Sequence, residues 1–115
     1  MLEGKTKIVG TFMGVPHSQD ISKSKAAILG IPFDCGLHPD RVGARLGPSA
    51  IRQQSVLVRP YQPPIWDTNL LDELRVVDCG DVDVVLGDLP ETFDSITESI
   101  GVFLDANVTP VTFGG

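Results

Sequence analysis

Arg41-Val42-Gly43-Ala44-Arg45-Leu46-Gly47-Pro48-Ser49-Ala50-Ile51-Arg52 is the stretch whose reading decides the fold. It is dense in turn and helix-start signals and carries three arginines. Glycine is tolerated at a helix cap, and proline is preorganised for the first helical position. The spacing therefore predicts a helix opening at Gly47-Pro48, with Ala50, Ile51, Leu57 and Val58 on its apolar side, stopping before Pro60. Upstream, across a polar, irregular stretch from Pro32 to Leu46, Ala26 to Ile31 is a short apolar run bounded by Lys25 and Pro32. It reads as a strand buried on both faces, as a parallel sheet requires.

The same rhythm continues downstream. Tyr61 to Leu71 reads as a proline-rich loop with the only tryptophan, Trp66. Arg75 to Cys79 reads as a second strand ending in Gly80. The next helix has Leu89, Phe93, Ile96, Ile100, Phe103 and Leu104 on one face. Asp88 and Glu91 stand as a capping pair, with aspartate in place of the usual Ser/Thr, and Asn107 suits the left-handed residue that closes a helix. Val108 to Phe113 reads as a third strand that tolerates Pro110 near its start.

Strand, helix, strand, helix, strand implies an α/β fold with a parallel sheet and helices covering its faces. The whole chain, 1–115, is expected to form part of a single domain. Three parallel strands make a poor free-standing domain, so the last strand is expected to be an interior strand whose far neighbour is missing. In open α/β sheets ligands bind beyond the carboxyl ends of the strands. Asp34, Asp78 to Asp81 and Gly114-Gly115 fall there.

Composition narrows the partners. At 115 residues and a mean hydropathy of +0.12, the chain supports one modest core. A net charge of -6 and the lack of a basic patch argue against nucleic acid as a partner. Nothing approaches the roughly 20 apolar residues of a membrane span. The start, Met1-Leu2-Glu3-Gly4-Lys5-Thr6-Lys7, has neither the apolar core of a signal peptide nor an arginine-rich transit helix. Cys35 and Cys79 are far apart and read as reduced thiols, which points to the cytoplasm.

Several clusters bear on chemistry. Asp78, Asp81 and Asp83 form a D-x-x-D-x-D group that could hold a hard cation, but without a histidine they read better as turn and helix-approach residues. His17 and His38 have no partner at ligand spacing. Arg41, Arg45 and Arg52 offer two readings: forks for an anionic ligand, or ion pairs with Asp34, Asp40 or Asp78. Arg52 leans towards the second. There is no G-x-G-x-x-G between a strand and a helix, no G-x-S-x-G and no Ser-His-Asp set. No catalytic residue and no metal ligand can be assigned from the residues themselves.

Taken in order, Thr11-Phe12-Met13-Gly14-Val15-Pro16, Ile28-Leu29-Gly30-Ile31-Pro32-Phe33-Asp34, Gly43-Ala44-Arg45-Leu46-Gly47-Pro48-Ser49-Ala50-Ile51-Arg52, Val77-Asp78-Cys79-Gly80-Asp81-Val82 and Pro110-Val111-Thr112-Phe113-Gly114-Gly115 resemble the agmatinase branch of the ureohydrolases. This is the family of arginase, agmatinase, guanidinobutyrase and proclavaminate amidinohydrolase. The likeness covers essentially the whole chain and is that of an amino-terminal portion.

The resemblance implies a three-layer α/β/α sandwich, here partial, and hydrolysis of a guanidino compound to urea and an amine by two manganese ions (binuclear Mn2+) that activate a water. The metal ligands implied by the family begin directly after the double glycine and are not in this sequence. Arg45, Gly47, Pro48 and Arg52 match a scaffold motif; Asp78, Gly80 and Asp81 match a strand-end motif; Gly114 and Gly115 match the approach to the first metal ligand. His38-Pro39-Asp40-Arg41-Val42 departs from the Thr-x-x-Arg-Pro run of many agmatinases. The guanidino substrate is thereby left open. The family also implies a homo-oligomer in full-length form. Two readings of the chain follow: the front of a manganese-dependent amidinohydrolase, inactive alone, or a non-catalytic truncated paralogue that partners an oligomer.

Overall fold

The apolar run after Lys25 forms β1 (Ala26–Gly30) in the computed structural model, which describes residues 10–34, 43–59, 68–85 and 87–114. β1 is the central strand of a three-stranded sheet, flanked by β2 (Val77–Asp81) and β3 (Thr109–Phe113) in the order β2-β1-β3. Both pairings are parallel: Ala27 lies opposite Val77 and Pro110, and Ile28 opposite Asp78 and Val111. Alternation along β1 divides the core between two faces. Ala27 and Leu29 pack with Ile21, Val82, Phe103 and Val108 on one side. Ile28 packs with Val15 and Val76 on the other.

The helices cover these two faces. The long helix, residues Leu89–Asp105, supplies Phe103, Ile96 and Ile100 to the first face. The other face receives a 3-10 turn (Phe12–Gly14) and, as α1, the helix Gly47–Ser55. A short helix, α2 (Leu70–Glu73), follows, so the helix Leu89–Asp105 is α3. Helix on both faces of a parallel sheet is the three-layer arrangement that the residue pattern implies.

Several boundaries and faces differ from the sequence reading. α1 ends at Ser55, and Leu57 and Val58 lie beyond it, 78% and 51% exposed. Its inward residues are Pro48, Arg52 and Ser55, not Ala50 and Ile51. A charged side chain displaces the apolar ones because its partners lie on the sheet below. β2 does not stop before Gly80 but runs through it to Asp81, and Gly80 takes a positive φ of 83° within the strand. The register slips at this point, between Ile28 and Gly30. Ile31 lies past β1, although its N–H still donates to Phe113 O at 2.7 Å. α2, capped by Asn69, occupies the end of what the sequence assigns to loop.

On α3, Phe103 is buried while Leu89, Phe93 and Leu104 remain exposed. The apolar stripe is wider than the strip of a three-stranded sheet it can cover. Asp88 caps α3 through the Glu91 N–H at 3.0 Å, and Asn107 is left-handed with φ 57°, both as the sequence indicates. Cys35, His38, Asp40, Arg41, Trp66 and Gly115 lie outside the described residues.

The two sheet edges are unlike each other. Residues 16–18 run along the outer side of β2: the Asp78 N–H donates to Pro16 O at 2.9 Å, and the Ser18 N–H to Asp78 O at 3.1 Å. Among the described residues β3 is bonded only to β1. Thr109 donates to Lys25 O, so 109, 111 and 113 face β1 while Pro110 and Thr112 face the open edge. Pro110 has no N–H to strand there.

Candidate functional site

The side-chain cluster with the most chemistry gathers at the carboxyl end of β2. Arg52 is 8% exposed and reaches down from α1. Its Nε donates to Asp78 Oδ2 at 2.8 Å and its Nη2 to Asp78 Oδ1 at 3.0 Å, a bidentate fork. Nη1 donates to Asp81 Oδ1 at 2.5 Å, and Nη2 also reaches Gly80 O at 3.1 Å. Asp78, 1% exposed, accepts two further bonds, from the N–H groups of Phe12 (2.9 Å) and Gly80 (2.9 Å). One carboxylate thus ties together the 3-10 turn, α1 and the strained end of β2.

Burial alone would raise the Asp78 carboxyl. The Arg52 fork and the two backbone N–H groups outweigh it and hold Asp78 below the usual carboxylate range. Burial likewise opposes the Arg52 charge, and Asp78 and Asp81 overcome it, so Arg52 is held more firmly protonated than a free arginine. Cys79, half-buried beside this cluster, is a free thiol pushed up by burial and then by the Asp78 charge, which makes it a poor nucleophile.

A second pair sits at the end of β1. Arg45 donates to both oxygens of Asp34, from Nη2 at 2.6 Å and Nε at 3.0 Å, and its own N–H adds a third bond at 3.1 Å. The Gly43 N–H donates to Asp34 as well, at 3.2 Å. These bonds, the Arg45 side chain first, pull the Asp34 carboxyl far below its ordinary value. The ion-pair reading of Arg45 and Arg52 is therefore the one realised, with Asp34 and with Asp78 and Asp81.

The two pairs sit beneath a close approach between elements. A Cβ on Gly47 would lie 3.1 Å from Gly114 O, so the first turn of α1 abuts the end of β3. Pro48 is buried on the sheet. Gly30 has no room for a side chain at all: a Cβ there would run into Asp81 Oδ1 and come within 3.0 Å of Pro48 Cβ. Of the scaffold residues named from sequence, Arg52, Asp78, Gly80 and Asp81 form one cluster. Arg45 belongs to the Asp34 pair, Gly47 and Gly114 meet each other, and Gly115 lies outside the described residues.

Three contributors were not legible beforehand. Ser55 Oγ donates to Arg52 O at 2.6 Å and accepts the Met13 N–H at 2.8 Å, locking the 3-10 turn to α1. Thr92, fully buried, both donates to and accepts from Val85 backbone at 3.0 Å. Gly30 is the third. A small hydroxyl or a glycine inside a patterned element carries no signal of a partner that lies distant in sequence.

The arrangement holds shape rather than making or breaking bonds. Among the described residues no three His, Cys, Asp or Glu side chains come together as a metal set. Asp78 and Asp81 face Arg52 instead of sharing a cation with Asp83. The family model described as "Arginase family" matches residues 24–115, a span that contains Asp34, Arg45, Arg52, Asp78 and Asp81. The chain belongs to the arginase family.

This arginase-family chain is 41% identical over 107 residues to the mitochondrial agmatinase of Gallus gallus, covering 93% of its own length and 31% of the relative's. It is 34% identical to the guanidinobutyrase of Pseudomonas aeruginosa, with 93% and 34% covered. Among solved structures it superposes on a hypothetical agmatinase from Burkholderia thailandensis with a TM-score of 0.78 and 30% identity, over 90% of this chain and 32% of that one. Proclavaminate amidino hydrolase from Streptomyces clavuligerus gives the same TM-score at 28% identity, with 91% and 34% covered. The chain spans about a third of the length of the curated relatives it matches. It corresponds to an amino-terminal portion of them.

Proposed function

We propose that this chain is the amino-terminal part of an agmatinase-like amidinohydrolase, which hydrolyses a small guanidino compound (agmatine, guanidinobutyrate or similar) to urea and an amine. The observation that carries the reading is the 41% identity to an agmatinase across nearly the whole chain. The guanidinobutyrase among the relatives supports the wider guanidino class and leaves the particular substrate open.

The family's binuclear manganese does not fit the residues described here. The carboxylates near the strand ends, Asp34, Asp78 and Asp81, are engaged by Arg45 and Arg52. No step of the reaction is therefore assigned to them. Their part is to fix α1 against β2 and β3, so that Gly114 leads into the site from a rigid support. The metal ligands belong to sequence following Gly115, and the cytoplasm and a homo-oligomeric full-length assembly are part of the same proposal.

Urea release decides it. The 115-residue chain and a version extended through its own downstream coding sequence are each incubated with manganese and with agmatine, 4-guanidinobutyrate or arginine. The extended protein is expected to release urea from one of them, and the short chain from none. No urea from the extended protein with any guanidino compound overturns the proposal.

A further inference from the structure

Gly47 is a glycine that its own backbone does not require. With φ -57° and ψ -54° it is fully helical, a conformation open to every L-residue. It is not the extended residue of a helix cap, where glycine is tolerated. Alanine is the better helix former at such a position, because glycine loses more conformational freedom on folding. What excludes a side chain is a neighbour distant in sequence. A Cβ at 47 would stand 3.1 Å from the Gly114 carbonyl oxygen, inside the 3.4 Å at which ordinary contact begins. A Cβ on Gly43, in the same motif, or on Gly114 itself would meet nothing within 4 Å, so the restriction belongs to position 47.

Of the two elements that meet there, α1 is the one that cannot retreat. Arg52 is bonded to Asp78, Asp81 and Gly80. Ser55 Oγ accepts the Met13 N–H, and Pro48 is buried over Gly30. Gly114 is exposed, and the last anchor before it is the Phe113 carbonyl, which accepts the Ile31 N–H at 2.7 Å. A methyl group at 47 is therefore accommodated by Gly114, through a shift of a few tenths of an ångström beyond that bond. In open α/β sheets ligands bind outside the carboxyl ends of the strands. The direction in which the chain leaves β3 is thus the direction in which it enters that end of the sheet.

We propose that Gly47 is a positioning residue, whose bare Cα seats the Gly114 carbonyl and so sets the path of the chain out of β3. The Arg52 cluster holds α1 down, and Gly47 passes that fixed position on to the end of the neighbouring strand. The consequence for turnover rests on the reading of this chain as the front of an amidinohydrolase; the seat itself does not.

The test compares Gly47→Ala with Ser49→Ala, an exposed position in the same helical turn. In the 115-residue chain, Gly47→Ala is expected to shift the Gly114 amide resonance while the Ile31 amide and the Tm hold, and Ser49→Ala is expected to leave Gly114 unmoved. In the chain extended through its downstream coding sequence, Gly47→Ala is expected to lower kcat for urea release roughly 3–10-fold, with KM within about twofold, since a misplacement of about 1 Å costs about 100-fold. A Gly114 resonance that stays in place, or a lower Tm with Gly114 unmoved, overturns the proposal. An unchanged kcat in an active extended enzyme overturns it as well. An extended protein that releases no urea before any substitution defeats the amidinohydrolase reading instead, and the Gly114 resonance still decides the seat.

Discussion

At the scale of single residues, Arg52 and Asp78 set the terms. A buried ion pair is weak evidence for net stability, but removing one partner leaves the other charge stranded. Arg52→Ala would leave Asp78, 1% exposed, with only backbone donors. The expected cost is about 3 kcal/mol, at the low end for a buried pair because the Asp81 side chain is 38% exposed. That is a large share of the 5–15 kcal/mol typical of a whole domain, and the urea midpoint of Arg52→Ala reads it. Arg45→Ala should shift the midpoint far less, since its partner pair lies near solvent. Acid acts on the same carboxylate. Asp78 is held below its ordinary value of 3.8, so the folded state resists protonation there while the unfolded state does not. Its contribution is complete above about pH 4 and is lost as pH falls through the folded value. The urea midpoint is expected to drop as pH falls from about 4.5 to about 2, and the drop should be smaller in Asp78→Asn. An equal drop in both proteins would assign the acid sensitivity elsewhere.

At the scale of elements, local signals were legible where the partner was close in sequence. Asp88 and Glu91 are three apart, and the aspartate does accept the Glu91 N–H. Asp88→Ala should cost about 1 kcal/mol, read as a lower Tm and as faster amide exchange in the first turn of α3. A loss confined to exchange, with Tm unmoved, would show that the cap serves only local fraying. Asn107 was legible for the same reason, because a left-handed closing residue has a small set of candidates. The face of α1 was not legible. Hydrophobic periodicity selects Ala50 and Ile51, but Arg52 goes inward because Asp78, 26 residues away, waits on β2. The glycine at position 80 looked like a strand terminator, whereas it supplies the positive φ that lets β2 continue past a register slip. Both misreadings have one physical source: tertiary partners override local preference, and a sequence shows residue types without showing who will meet across the sheet.

At the scale of the whole molecule, the parallel sheet and its strand rhythm could be read from three apolar runs separated by helix signals, and the family from the order of its motifs. The sequence also pointed to a last strand lacking a neighbour, and β3 in the described sheet is bonded only to β1. Along its open side Thr112 offers an N–H and a C=O, while Pro110 offers only a C=O. Beside that edge lie Val111, 40% exposed, and the uncovered flank of α3, with Phe93 55% and Leu104 64% exposed. Open backbone next to apolar surface is what drives edge pairing and association. The proline moderates the tendency without abolishing it, since one donor and two acceptors remain. The 115-residue chain is therefore expected to elute from size exclusion at an apparent mass that rises with concentration, and to bind a hydrophobic dye. Thr112→Pro would remove the one outward donor and leave the β1-facing bonds of residues 109, 111 and 113 in place. It should shift elution towards the monomer while the far-ultraviolet circular dichroism stays unchanged. A chain that is monomeric at every concentration, melts cooperatively and binds no dye would show that the β3 edge and the α3 flank are closed in solution, and the argument from the open edge would fail.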